Sequence, residues 1–190
     1  MTDTVYVFAR APRLGTVKRR LAAGIGAVAA LRFYRATLAT TLRRLARDRR
    51  FRTVLAITPD GARGPWRQGL PTVPQGRGDL GQRMHRATSR HKPGRVAIVG
   101  ADIPDLRAED VAAALRCLRG ADACFGPAED GGYWLVALGP RRPARPFARV
   151  RWSGPHALAD TLGNFNRHAV AFLRTLRDVD TEADLRERPE

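Results

Sequence analysis

An α/β sandwich with a mostly parallel central sheet is the fold class this sequence predicts, and three observations carry it. Short apolar runs rich in Val, Ile and aromatic residues alternate with helical patterns along the chain, the order that builds strands covered by helices. The run RVAIV at residues 95–99 is apolar without alternation, as suits a strand buried on both faces. At 190 residues with 44% hydrophobic content, the chain is long enough for a substantial core, and residues 1–190 are expected to form one domain.

The elements follow in order. Residues 4–8 alternate and carry Val, Tyr and Phe, the pattern of a first strand. A loop punctuated by Pro and Gly follows. Residues 27–47 then place Leu31, Tyr34, Leu38, Leu42 and Leu45 on one side at three- and four-residue spacing, which predicts a long helix. Residues 53–57 form a second strand, ended by TPDGARG, and 71–78 a loop. Residues 80–89 read as a short helix, 95–99 as the buried strand, and 108–119 as a helix opened by Glu109 and Asp110. Strands are expected at 121–125 and 133–138, with an exposed, basic, proline-rich connector at 140–146. Residues 155–162 are expected as helix, 170–176 as strand and 182–187 as a last helix. In such sheets ligands bind beyond the carboxyl ends of the strands.

The formal charge of +16 raises the question of a nucleic-acid partner. Only Lys18 and Lys92 among the 34 basic residues are lysine, and the arginines are spread along the whole chain. No zinc-finger spacing or aromatic RNA-binding signature accompanies them, so attraction to a small phosphate-bearing substrate is the favoured reading of the charge. Cys117 and Cys124 form no CxxC pair and read as reduced thiols of a cytoplasmic protein. No apolar run of membrane-spanning length occurs, and the N-terminus lacks the basic start and apolar core of a signal peptide. The stretch GIGAVA at residues 24–29 matches a dinucleotide-binding pattern. It lies some 15 residues beyond the first strand, whereas that fingerprint needs its glycines directly after one.

Five stretches could carry chemistry. FARAPRLGTVKRRL, residues 8–21, leaves the first strand with Gly15 in a loop and delivers Lys18, Arg19 and Arg20 together, a cradle for phosphate or a basic surface loop. VGADIPDL, residues 99–106, puts Asp102 just past the buried strand, as a cation ligand or as a turn or helix cap. RDVDTEADL, residues 177–185, sets Asp178 and Asp180 two apart, on one side of an extended chain. Thr181 with Asp184 also fits a capping box, which leaves Asp178 unexplained. A cluster of Asp102 with this pair calls for a divalent cation, an arginine or a raised pKa, and oxygen ligands favour magnesium or manganese over zinc. GPAEDGGYWLVAL, residues 126–138, sets Glu129, Asp130, Gly131 and Gly132 against a strand, as a water-facing hairpin turn or a ligand wall. In VRWSGPHAL, residues 150–158, Ser153 reads first as a helix cap, and His156 could bind an anion or act in acid–base chemistry.

Taken together and in this order, VFARAPRLGTVKRRL, QGRGDLGQRM, VGADIPDL, GPAEDGGYWLVAL, RWSGPHAL and RDVDTEADL resemble the bacterial glycosyltransferase-like proteins of the DUF2064 family, over roughly residues 4–186. Its members are linked to nucleotide-diphospho-sugar transferases and to arsenosugar biosynthesis. The resemblance implies a GT-A-like three-layer sandwich that binds a nucleotide or nucleotide-sugar with Mg2+ or Mn2+ and transfers a glycosyl group to a small acceptor. Nucleotidyl transfer onto a small phosphorylated acid and non-catalytic nucleotide or polyanion binding are the alternatives. It places Arg10, Gly15, Lys18 and Arg20 around the phosphates, and Asp102, Asp178 and Asp180 on the metal. Glu129 or Asp130 would then orient or deprotonate the acceptor, flanked by Gly131, Gly132, Ser153 and His156. Two departures stand out: Arg19 replaces the family's threonine, and Leu14 its proline.

Overall fold

A computed structural model describes residues 2–91 and 94–187. Seven strands form one sheet: β1 (Thr4–Arg10), β2 (Arg52–Thr58), β3 (Thr72–Pro74), β4 (Val96–Gly100), β5 (Ala123–Pro127), β6 (Tyr133–Leu138) and β7 (Val170–Phe172). Their spatial order is β3-β2-β1-β4-β6-β5-β7. All neighbouring pairs are parallel except those of β6, which runs antiparallel to both β4 and β5. The sheet is mostly parallel, as expected. The one reversed strand matters for the site, because β6 begins at the edge where β1 and β4 end.

The helices are α1 (Arg19–Ile25), α2 (Ala27–Ala46), α3 (Leu80–Ser89), α4 (Ala108–Cys117), α5 (Ala157–Gly163) and α6 (Glu182–Arg186). Strand alternation sends Val5 and Val7 to one face of the sheet and Tyr6 to the other. The first face is covered by α2 and α4. The second is covered by α3, by Phe147, and by Phe165 just past α5. The result is a three-layer sandwich.

The predicted leucine stripe of α2 is what fixes that helix. Leu38, Leu42 and Leu45 are wholly buried, each contributing about 1.5–3 kcal/mol by removal from water. Helix α3 is set by Asp79, whose carboxylate accepts the Gln82 N–H while the Gln82 side chain accepts the Asp79 N–H, a reciprocal capping box.

Four local expectations are corrected. The loop at 71–78 contains β3, an edge strand too short to show a period of two. The last strand stops at Phe172 and continues only as a single bridge between Ala128 and Leu176. The connector at 140–146 is not wholly exposed. Arg142 is buried because its guanidinium donates to the carbonyls of His91 and Gly94. Ser153 does not cap a helix, since α5 begins at Ala157 after His156 and Ser153 itself has φ 63°. Among the described residues no helix is long and apolar enough to cross a membrane.

Candidate active site

The loop after β1 is pinned at both ends. Ala11 continues the β1–β2 ladder by donating to Thr58, and Val17 and Leu21 are buried anchors. Tyr34, a member of the α2 stripe, turns its hydroxyl onto this loop. It donates to the Arg10 carbonyl at 2.9 Å and accepts the Arg10 N–H at 3.0 Å. Burial raises the pKa of that phenol, so it stays a donor at every physiological pH. Lys18 ends the loop in the left-handed region, with φ 46°, a conformation that costs a non-glycine residue about 1 kcal/mol or more.

What that backbone achieves is the placement of an ammonium. Lys18 Nζ lies 3.1 Å from Asp102 Oδ2 and 2.7 Å from Asp180 Oδ1, with its side chain only 4% exposed. Burial pulls the lysine pKa down, but the two carboxylates outweigh it and the net shift is upward. The cation is therefore permanent. Asp180 is free for this contact because Thr181, not Asp180, caps α6, in a capping box with Asp184. Asp102 is likewise no cap, since α4 begins only after Arg107.

Asp178 stands close by. Its pKa is pushed up to about 6 by burial, with Asp180, Asp130 and Asp102 adding to the rise and Lys18 opposing it. Two of the three predicted metal ligands thus converge on one cation position, and that position holds the lysine ammonium. Among the described residues no three His, Cys, Asp or Glu side chains are grouped so as to hold a metal.

Two cavities meet here and share Phe8, Asp102 and Ser153. The first, of about 540 Å³, is lined by Arg10, Lys18, Arg19, Arg20 and Asp180. The second, of about 370 Å³, has a largely apolar wall and includes Asp130, Asp178, Gly132 and Trp152. Of the predicted phosphate-binding residues, Gly15 lines neither cavity; its φ of 73° makes the turn that returns the chain toward Lys18.

The hairpin before β6 divides its two acids. Asp130 lines the second cavity, and its Oδ1 accepts the Gly132 N–H at 2.9 Å. Glu129 lines neither cavity; it is exposed and lies 3.7 Å from Arg177 Nε. Gly131 lines neither cavity and packs against the 153–157 loop. With φ 82°, it leaves room for the Pro155 carbonyl, which a Cβ there would meet at 2.2 Å. Its own carbonyl accepts the Leu158 N–H. This docks the hairpin onto the 153–157 loop and brings Ser153 to the cavities, while His156 is exposed and lines neither.

Sequence reasoning missed Trp152, Met84 and Leu80, all in the second cavity. Met84 is buried on α3, and nothing in the sequence distinguishes it from an ordinary core methionine. Trp152 lay inside a quoted motif without a role. The QGRGDLGQRM motif builds this wall from behind. The Gln75 amide donates to the carbonyls of Ala9 and Ala56, and a Cβ on Gly81 would strike the Phe147 carbonyl and the Trp152 ring.

Comparison with known proteins supports this architecture. A solved structure from Desulfovibrio desulfuricans G20, provisionally described as a nucleotide-diphospho-sugar transferase, is 30% identical, with a TM-score of 0.89 over 97% of this chain and 85% of that one. The fold is also that of 4-diphosphocytidyl-2C-methyl-D-erythritol synthase from Anaerococcus prevotii DSM 20548 (TM-score 0.61, 12% identity, 97% and 94% covered). A third similar structure is glucosyl-3-phosphoglycerate synthase from Mycobacterium tuberculosis, solved with Mn2+, UDP and glucosyl-3-phosphoglycerate (TM-score 0.58, 12% identity, 93% and 70% covered). No curated protein sequence matches the chain. The family model described as "Uncharacterized protein conserved in bacteria (DUF2064)" matches residues 41–154, and with the likeness over nearly the whole chain to the Desulfovibrio structure, the chain belongs to that family.

Proposed function

We propose that this protein is a transferase that binds a nucleotide or nucleotide-sugar in the cationic cavity and passes a glycosyl group to a small acceptor in the adjoining one. The observation that carries the reading is the buried Lys18 ammonium between Asp102 and Asp180, lining a cavity that also presents Arg10, Arg19 and Arg20. Such a cluster matches the charge of a diphosphate. Arg20 and Lys18 hold the leaving phosphate, and the Tyr34 hydroxyl keeps the Arg10 backbone in place beside it.

A divalent cation fits the donor set in part. Asp102 and Asp180 present hard oxygen atoms, the ligand chemistry of Mg2+ or Mn2+, and with Asp178 beside them they would hold the ion if the Lys18 ammonium that fills this position turned aside. When bound, the ion would neutralise charge on the leaving phosphate. Asp130 is the acid–base candidate that lines the acceptor cavity, where it orients the acceptor hydroxyl and takes up its proton. The likenesses to a Mn2+- and UDP-bound glycosyltransferase and to a cytidylyl-transferring synthase support the general class.

The test is a thermal-shift screen of nucleotides and nucleotide-sugars with and without Mg2+ or Mn2+, followed by product analysis of any stabilising donor. Stabilisation by a nucleotide-sugar and release of free nucleoside diphosphate are expected. Release of pyrophosphate from a triphosphate would establish nucleotidyl transfer instead. Stabilisation by DNA alone, falling steeply with salt, would mark a polyanion-binding protein.

A further inference from the structure

The second cavity has the opposite charge to the protein around it. The chain carries a net +16, yet the charged residues lining this cavity are Asp102, Asp130 and Asp178, and among the described residues no Arg, Lys or His lines it. Apart from Ser153, the rest of its wall is largely apolar and includes Leu80, Met84, Ile98, Tyr133, Trp152 and Ala157. The Tyr133 and Trp152 rings meet edge to face, with centroids 6.4 Å apart, and Leu80 is left 42% exposed.

From this lining we infer that the acceptor is an uncharged or cationic molecule with one apolar face, and not a phosphorylated or carboxylated acid. The inference rests on the proposed division of the cleft into a donor and an acceptor side. Ionised carboxylates only accept hydrogen bonds, so they recruit hydroxyl or ammonium donors. Aromatic walls take the apolar face of a ring or an organic cation. An anion entering here meets the carboxylates of Asp130 and Asp178, Asp102 being offset by the Lys18 ammonium, and like-charge juxtaposition of this kind is unfavourable. Its counter-charges are next door, in the cavity of Arg10, Lys18, Arg19 and Arg20, where the donor phosphates go. The two cavities thus sort anion from acceptor by the sign of their charge.

A matched pair of probes tests this without nucleotide or metal. Phenyl β-glucopyranoside and phenyl β-glucuronide share an aromatic ring and a sugar ring and differ by one carboxylate. Their affinities are measured by ligand-observed NMR titration of the full chain. The glucoside is expected to bind about tenfold or more tighter than the glucuronide. Asp130→Asn keeps the acceptor oxygen that serves Gly132 N–H and removes the charge, so it should narrow that ratio about threefold or more. Trp152→Ala should weaken the glucoside about tenfold. Equal or tighter glucuronide binding, or no binding of either probe, would overturn the inference. Because no nucleotide is present, its fate is separate from that of the transferase reading: discrimination between the probes with no nucleotide-dependent stabilisation would sink only the latter.

Discussion

Lys18 and Asp180 lie 162 residues apart in the chain and 2.7 Å apart in the fold. Their contact joins the loop after β1 to the segment before α6, with Asp102 as the third member. Replacing Lys18 by methionine keeps the aliphatic stem and removes the charge. Asp102 and Asp180 then face each other without a cation, and stability should fall by about 1–3 kcal/mol, moderated by their partial exposure. Nucleotide-dependent stabilisation should also disappear. Chemical denaturation and a nucleotide thermal-shift assay check the two effects; a variant that keeps both wild-type values would refute the role given to Lys18.

Gly131 is expected to be the least replaceable residue of the hairpin. A Cβ there meets the Pro155 carbonyl at 2.2 Å on a backbone with φ 82°, so Gly131→Ala should cost about 2–4 kcal/mol. Gly154, on the loop that Gly131 holds, has no atom within 4 Å of a built Cβ. Gly154→Ala should stay within about 0.5 kcal/mol. Equal melting shifts for the two variants would contradict the docking role.

Gln75 supplies two hydrogen bonds to the ends of β1 and β2, at 3.1 and 2.9 Å, from a buried position. Gln75→Leu should remove both and strand buried carbonyl groups, at a cost of about 1–3 kcal/mol. Urea denaturation would show it as a lower midpoint with an unchanged slope.

The acid limb of the stability profile should carry the mark of Asp160. Hydrogen bonds from the Arg151 guanidinium and backbone N–H hold its carboxyl well below the usual range. A carboxylate with a depressed folded pKa contributes stability that is present above its unfolded value, near about 4, and lost as the pH falls toward the folded one. Denaturation at intervals from pH 6 to pH 2 should therefore show the wild type losing more stability below pH 4 than Asp160→Asn. Parallel profiles would refute the assignment.

Much of the fold could be read from periodicity. The α2 stripe, the buried run of β4 and the paired runs of β5 and β6 are long or apolar enough to declare themselves. What escaped was set by distant partners. Arg142 is buried because two carbonyls reach it, and β3 exists because Pro71 and Ile57 supply the main-chain partners of Leu55 and Gln75. In the site, Lys18, Asp102 and Asp180 were legible as charged residues at strand ends, but nothing in their spacing showed the lysine standing between the two carboxylates. Glu129 and Asp130 are adjacent and chemically alike. Only the hairpin's geometry sends one to the cavity and the other to Arg177.

The reversal of β6 makes residues 128–132 a hairpin tip instead of a crossover. The Ala128 N–H donates to the Gly132 carbonyl and closes that tip on itself. Lengthening such a tip costs little loop-closure entropy, provided Gly131 keeps its place against Pro155. The loop after β1 has no such latitude, since Lys18 both ends it and starts α1. Of the two loops at this sheet edge, the hairpin is therefore the one with room to lengthen, and the Lys18 loop the one without it.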